Sequence, residues 1–146
     1  MNNRIYIGAD HAGHDLKKAL LAYFEKKNRP LIDCGSYNDM PSNYADIGHE
    51  VALKIQADEG CRGILICGTG IGMSIAANRH HGIRAALCHN LFTAESSRAH
   101  NDANIIVLGS RVVDESLAKE CIETFLKTPF DGGRHKERVQ HIDRSA

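Results

Sequence analysis

The 146-residue sequence has no excess of either charge: Lys plus Arg and Asp plus Glu number 18 each. A chain without net charge is a poor fit for a general nucleic-acid or membrane-surface binder. No apolar run approaches the roughly 20 residues that span a bilayer. The opening MNNRIYIGADHAGHD reaches charged residues too soon for a secretory hydrophobic region. The expectation is a cytoplasmic protein with no nucleic-acid or membrane partner. None of the five cysteines, Cys34, Cys61, Cys67, Cys88 and Cys121, belongs to a Cys-x-x-Cys pair, and their number is odd. A disulfide framework or structural zinc site is therefore not expected. Most of these thiols read as small core residues. There is no internal repeat, low-complexity tract or linker, so residues 1–146 read as one domain.

What is present is an alternation. RIYIGA (4–9), PLIDC (30–34), GILIC (63–67), IRAALC (83–88) and NIIVLG (104–109) read as strands. Helical periodicity covers 14–27, 45–58, 73–80, 91–101 and 115–127, and a polar helix covers the tail from about 134. SYNDMPSNY (36–44) is loop-like. Five strands, each followed by a helix, imply a three-layer α/β/α sandwich around a parallel sheet. The expected order is the flavodoxin-like 2-1-3-4-5.

In such sheets ligands bind past the carboxyl ends of the strands, at the switch in strand order. Here that is between strands one and three. Asp10 and His11 follow the first; Cys67 and the glycines of CGTGIGMS follow the third. Glycines bring backbone N–H groups close to a ligand, and a helix start adds a positive dipole end, so the loop suits an anion. The pattern is neither a dinucleotide fingerprint nor a P-loop. The same dipole is expected to lower the Cys67 pKa, making it a nucleophile or base. The residues alone leave other readings open: a tight structural turn, a spectator thiol, a helix cap at Asp10 and capping at His100-Asn101. Arg134 and Arg138 share one face of the tail helix and suit a phosphate, or a solvated face. Arg111 stands at the ligand edge. His80-His81 read as surface, not metal ligands.

Taken together, GADHAG (8–13), ICGTGIGMSIAAN (66–78), GIRAAL (82–87), SRAHNDAN (97–104), LGSRVV (108–113) and GGRHKERV (132–139) resemble the type B ribose-5-phosphate isomerases. That wider family includes galactose-6-phosphate isomerase subunits. The resemblance spans nearly the whole chain. It implies a homodimeric aldose–ketose isomerase of carbohydrate metabolism, in the pentose phosphate pathway, that needs no metal or cofactor. Cys67 matches the catalytic base, acting through a cis-enediolate. The amides of Gly68, Thr69, Gly70, Ile71 and Gly72 would hold the oxyanion, and Thr69 would relay a proton. His100 matches the residue assisting ring opening, with Asp10 as helper. Asn101 and Tyr44 would touch the sugar. His11, Arg111, Arg134 and Arg138 match phosphate-end positions. The site lies at the dimer interface in this family, so the tail arginines would serve the partner; dimers pairing into tetramers stay open. The family usually has proline after the loop tyrosine, where this chain has Ala45, which leaves the sugar preference open.

Three further readings stand beside this one. A six-carbon sugar phosphate such as allose 6-phosphate needs the same base and clamp. A non-catalytic sugar-phosphate sensor would need the glycines and arginines, but not Cys67, Thr69 and His100 together. A thiol-dependent redox or acyl-transfer enzyme would need Cys67 but neither tail arginine.

Overall fold

The structure, a computed structural model, describes residues 2–35 and 42–144. The elements alternate as the sequence pattern requires. Strand β1 (Ile5–Ala9) leads through a one-turn 3-10 helix (His11–Gly13) into α1 (His14–Lys26). Then come β2 (Ile32–Asp33), α2 (Tyr44–Ala57), β3 (Arg62–Cys67), α3 (Ile71–Ala77), β4 (Ala85–Leu87) and α4 (Leu91–Ala99). Strand β5 (Ile105–Gly109), α5 (Glu115–Lys127) and α6 (Arg134–Ile142) complete the chain. Most of the expected loop 36–44 lies outside the described residues.

The five strands form one parallel sheet in the order β2-β1-β3-β5-β4. The expected order 2-1-3-4-5 is corrected in its last two places. The reason is in the side chains. Every residue of β5 is buried, as a strand covered on both faces must be, whereas β4 is half-buried to exposed and takes the edge. The reversal between β1 and β3 is unaffected.

Alternation along β3 builds both cores. Ile64 and Ile66 pack with Leu20, Phe24, Ile122 and Phe125 from α1 and α5. Leu65 and Cys67 point the other way, toward Ile47, Val51, Ile55 and Met73 of α2 and α3. Gly8 lets α2 approach: a Cβ there would stand 2.8 Å from Ile47 and 2.9 Å from Val51. At the outer edge, Asn78 substitutes for a missing strand. Its side chain donates to the Ala85 carbonyl at 2.9 Å and accepts the Ala85 N–H at 2.8 Å. No helix among the described residues is long and apolar enough to cross a membrane.

Candidate active site

Cys67 closes β3 and is 5% exposed. Two backbone bonds tie its loop to the end of β5: Ser110 N–H to the Cys67 carbonyl at 2.8 Å, and Arg111 N–H to the Gly68 carbonyl at 3.0 Å. The Cys67 sulfur accepts the Gly70 N–H at 3.2 Å. Gly70 has φ +82°, a conformation that favours glycine, and a Cβ there would strike Leu87. The exposed Thr69 accepts the Ile71 N–H at 3.3 Å through its hydroxyl. Arg111 lies across Gly68, where a Cβ would meet its guanidinium at 2.9 Å. The Tyr44 ring covers Gly72 in the same way. Cys67, Gly68, Thr69, Gly70, Ile71, Gly72, Tyr44 and Arg111 therefore form one surface.

Asp10 joins that surface from β1. Its N–H donates to the Ile66 carbonyl at 3.2 Å, and its buried carboxylate accepts the Ala12 and Gly13 N–H groups at 3.0 and 3.1 Å. This is the capping arrangement left open by the residues alone. His11 is exposed beside it. Its N–H donates to the Ser42 hydroxyl at 3.1 Å, and its Nδ1 accepts the Ser42 N–H at 3.4 Å.

The remaining candidates form a second group elsewhere. His100 caps α4, which runs back from the carboxyl edge of the sheet to the edge where strands begin. Asn101 follows it, exposed, and Asn104 already pairs with the start of β3. Asp131 is tied to the same place by its N–H to the Ala99 carbonyl at 2.9 Å. His135 of α6 stacks on His100 with ring centroids 4.4 Å apart. Arg134 and Arg138 line an open hollow of about 560 Å³ with Glu137, His141 and Ile142. About 13 Å of strand, from Gly63 to Cys67, separates the two edges. Asp10 and His100 share no hydrogen bond among the described residues. A larger cavity of about 700 Å³, lined by Arg62, His81, Arg84 and Asp102 among others, also lies at the strand-start edge, away from Cys67.

All five cysteines are free and buried. Burial pushes the Cys61 and Cys121 thiols up to about 11 and raises those of Cys34 and Cys88, which marks all four as inert core groups. The surface reading of His80 is corrected: its Nε2 lies 2.7 Å from His49 Nδ1, with α2 packed on α3. The two are 31 positions apart, so no local pattern announces them. Burial, then His49, lowers the His80 pKa. The site also uses residues that periodicity does not flag. Ser42 holds His11, and His89 Nε2 accepts the Gly109 N–H at 3.2 Å, burial lowering its pKa. Three donors with no carbon-rich cover converge at the other edge. One ligand atom each from His100, Asp131 and His135 lies within 4.8 Å of the others, the sole such metal-capable group among the described residues.

The sequence model of a family described as Ribose/Galactose Isomerase matches residues 5–142. Ribose-5-phosphate isomerase B of Escherichia coli is 42% identical over 95% of this chain and 93% of its own. D-erythrulose-4-phosphate isomerase of Pectobacterium atrosepticum is 43% identical over 94% of this chain and 91% of its own. The solved structure of Clostridium thermocellum ribose-5-phosphate isomerase B superposes with a TM-score of 0.93 at 47% identity, covering 96% of this chain and 95% of that one.

Proposed function

The chain belongs to the ribose/galactose isomerase family, and on that premise we propose that it interconverts ribose 5-phosphate and ribulose 5-phosphate. The observation that carries the reading is the Gly70 N–H on the Cys67 sulfur at 3.2 Å, which fixes a thiol against the glycine loop that opens α3. In the open-chain aldose, Cys67 as thiolate takes the proton from carbon 2. The bonding pair forms the carbon 1–carbon 2 double bond, and the carbonyl pair moves onto oxygen 1. Amides of residues 68–72 hold that oxyanion, an interaction worth on the order of 10²–10³ in rate per donor. The thiol returns the proton to carbon 1, while Thr69 passes the hydroxyl proton from oxygen 2 to oxygen 1. Arg111 and His11 hold the phosphate end from this side.

His100, Asn101, Arg134 and Arg138 act from a second copy of the chain. The roughly 13 Å of strand between the two edges supports this, since it keeps the two groups apart within one chain, while the reciprocal contacts of an isologous dimer can set the strand-start edge of one copy on the carboxyl edge of the other. Exposed Ile71, Ile75, Leu91 and Phe92 supply an apolar surface for such a contact. His100 then assists ring opening, with Asp10 of the other copy oriented by its loop amides. The proposal includes a cytoplasmic location and a place in pentose phosphate interconversion.

A second reading has one observation behind it: a relative at 43% identity is named for a four-carbon substrate, so sugar length varies at this level of identity. The test is the isomerisation rate of purified protein on ribose 5-phosphate, with erythrulose 4-phosphate and allose 6-phosphate beside it. A dominant kcat/KM for ribose 5-phosphate is expected. Preference for another length keeps the chemistry and changes the substrate. No turnover of any of the three overturns the isomerase proposal in favour of a sensor.

A further inference from the structure

His100, Asp131 and His135 have more in common than proximity. Asp131 is held beside His100 by its backbone bond to Ala99, and the two imidazoles stack with ring planes 12° apart. None of the three side chains makes a hydrogen bond or ion pair among the described residues. Gly132 and Gly133, at φ +68° and +55°, turn the chain so that Asp131 and His135 face the same neighbour. We propose that these three side chains form a site for a borderline divalent cation of the zinc(II) class, and that its occupancy withdraws His100 from catalysis.

Two imidazoles and one carboxylate suit zinc, cobalt and nickel better than magnesium or calcium. Donor atoms around a tetrahedral zinc stand roughly 3.3 Å apart, as follows from ligand distances near 2.0–2.1 Å. The present spread of up to 4.8 Å closes by small rotations of three side chains, those of the exposed His100 and Asp131 and the half-buried His135. Three protein ligands leave a fourth position open to water. Arg134 and Arg138 flank His135 and oppose the cation, so binding is weaker than at a structural zinc site. The inhibitory half of the proposal rests on the ring-opening role proposed for His100; the site itself does not.

The test uses cobalt(II) chloride titrated into the full-length, chelator-treated protein, followed by visible absorption without substrate. One ion per chain is expected, with ligand-field bands and no thiolate charge-transfer band. Asp131→Asn and His135→Gln are each expected to weaken binding by roughly ten-fold or more, since even outer partners of metal ligands cost 10–100-fold. Asp131→Asn keeps the backbone bond to Ala99 and, free of metal, turns over at the parent rate. In the parent, isomerase rate falls in step with occupancy by zinc(II); in Asp131→Asn the inhibition curve shifts to higher metal. No cobalt binding, binding unmoved by both variants, or a thiolate band overturns the site. Binding with unchanged turnover overturns the inhibition. The absorption arm is read without substrate, so failure of the isomerase proposal leaves it decisive.

Discussion

Replacing Cys67 by alanine is the sharpest test of the chemistry. Cys67 is 5% exposed, and its sulfur accepts the Gly70 N–H at 3.2 Å. Loss of one buried sulfur costs about 1 kcal/mol of stability. For a domain of this size that lowers the melting temperature by about 3–4 °C. Binding changes little, because the loop amides, Arg111 and the tail arginines remain. On the proposed mechanism, turnover loses its base. General-base catalysis is worth typically about 10²–10⁴-fold, or about 3–5 kcal/mol of barrier. Cys67→Ser separates packing from chemistry: it keeps the size, but its hydroxyl is a far weaker acid than a thiol, and it is expected to lose about as much as alanine. The assays are initial isomerisation rates, calorimetric binding of ribose 5-phosphate, and solvent-deuterium incorporation into recovered substrate. Turnover of either variant within about ten-fold of the parent, below the lower bound of a base's contribution, would refute the assignment.

Arg138→Ala is expected to raise KM roughly ten-fold or more with little change in kcat, the loss of one charge-assisted contact to phosphate; an unchanged KM removes it from the clamp. Mixing two inactive variants, Cys67→Ala and His100→Asn, under subunit exchange should restore about a quarter of parent activity, because half the dimers are hybrids and each hybrid has one intact site; no recovery argues for sites built within one chain. Gly109→Ala places a Cβ 2.7 Å from the Thr69 backbone, so about 1–3 kcal/mol of stability and a share of kcat should be lost together; an unchanged melting temperature would mean the loop shifts freely. His80 and His89 have pKa values lowered below the unfolded value near 6.5. The unfolded chain then takes up protons first, so stability is complete above about pH 6.5 and declines as pH falls below it. Melting temperature should drop between pH 7 and 5, and His80→Gln should flatten that slope; an unaltered slope assigns it to other groups.

The legible parts of the molecule were those that local chemistry encodes. The run ILIC followed by three glycines in five positions marks both a central strand and the tight glycine loop that ends it, and Cys67 stands where that pattern puts it. Strand order was less legible. Alternation fixes parallelism but not which strand takes an edge; the fully apolar IIVLG against the arginine-led AAL was the usable signal. The placing of His100 follows from direction: a helix after a parallel strand returns to the opposite edge, so a residue ending α4 stands away from one ending β3. Contacts between distant segments left no local trace. His49 with His80, Ser42 with His11, and Asp131 inside a stretch that reads only as a helix break became visible when the chain was folded.

The Asn78 amide has a consequence for assembly. Strand β4 is three residues long, and the outward N–H and C=O of Ala85 are already occupied by that side chain. Too little unsatisfied backbone remains on this margin to template another strand. Two copies meeting here cannot fuse their sheets into one ten-stranded ribbon. Any contact at this margin must instead run through side chains, and the same occupied backbone keeps the margin from seeding fibrous aggregates.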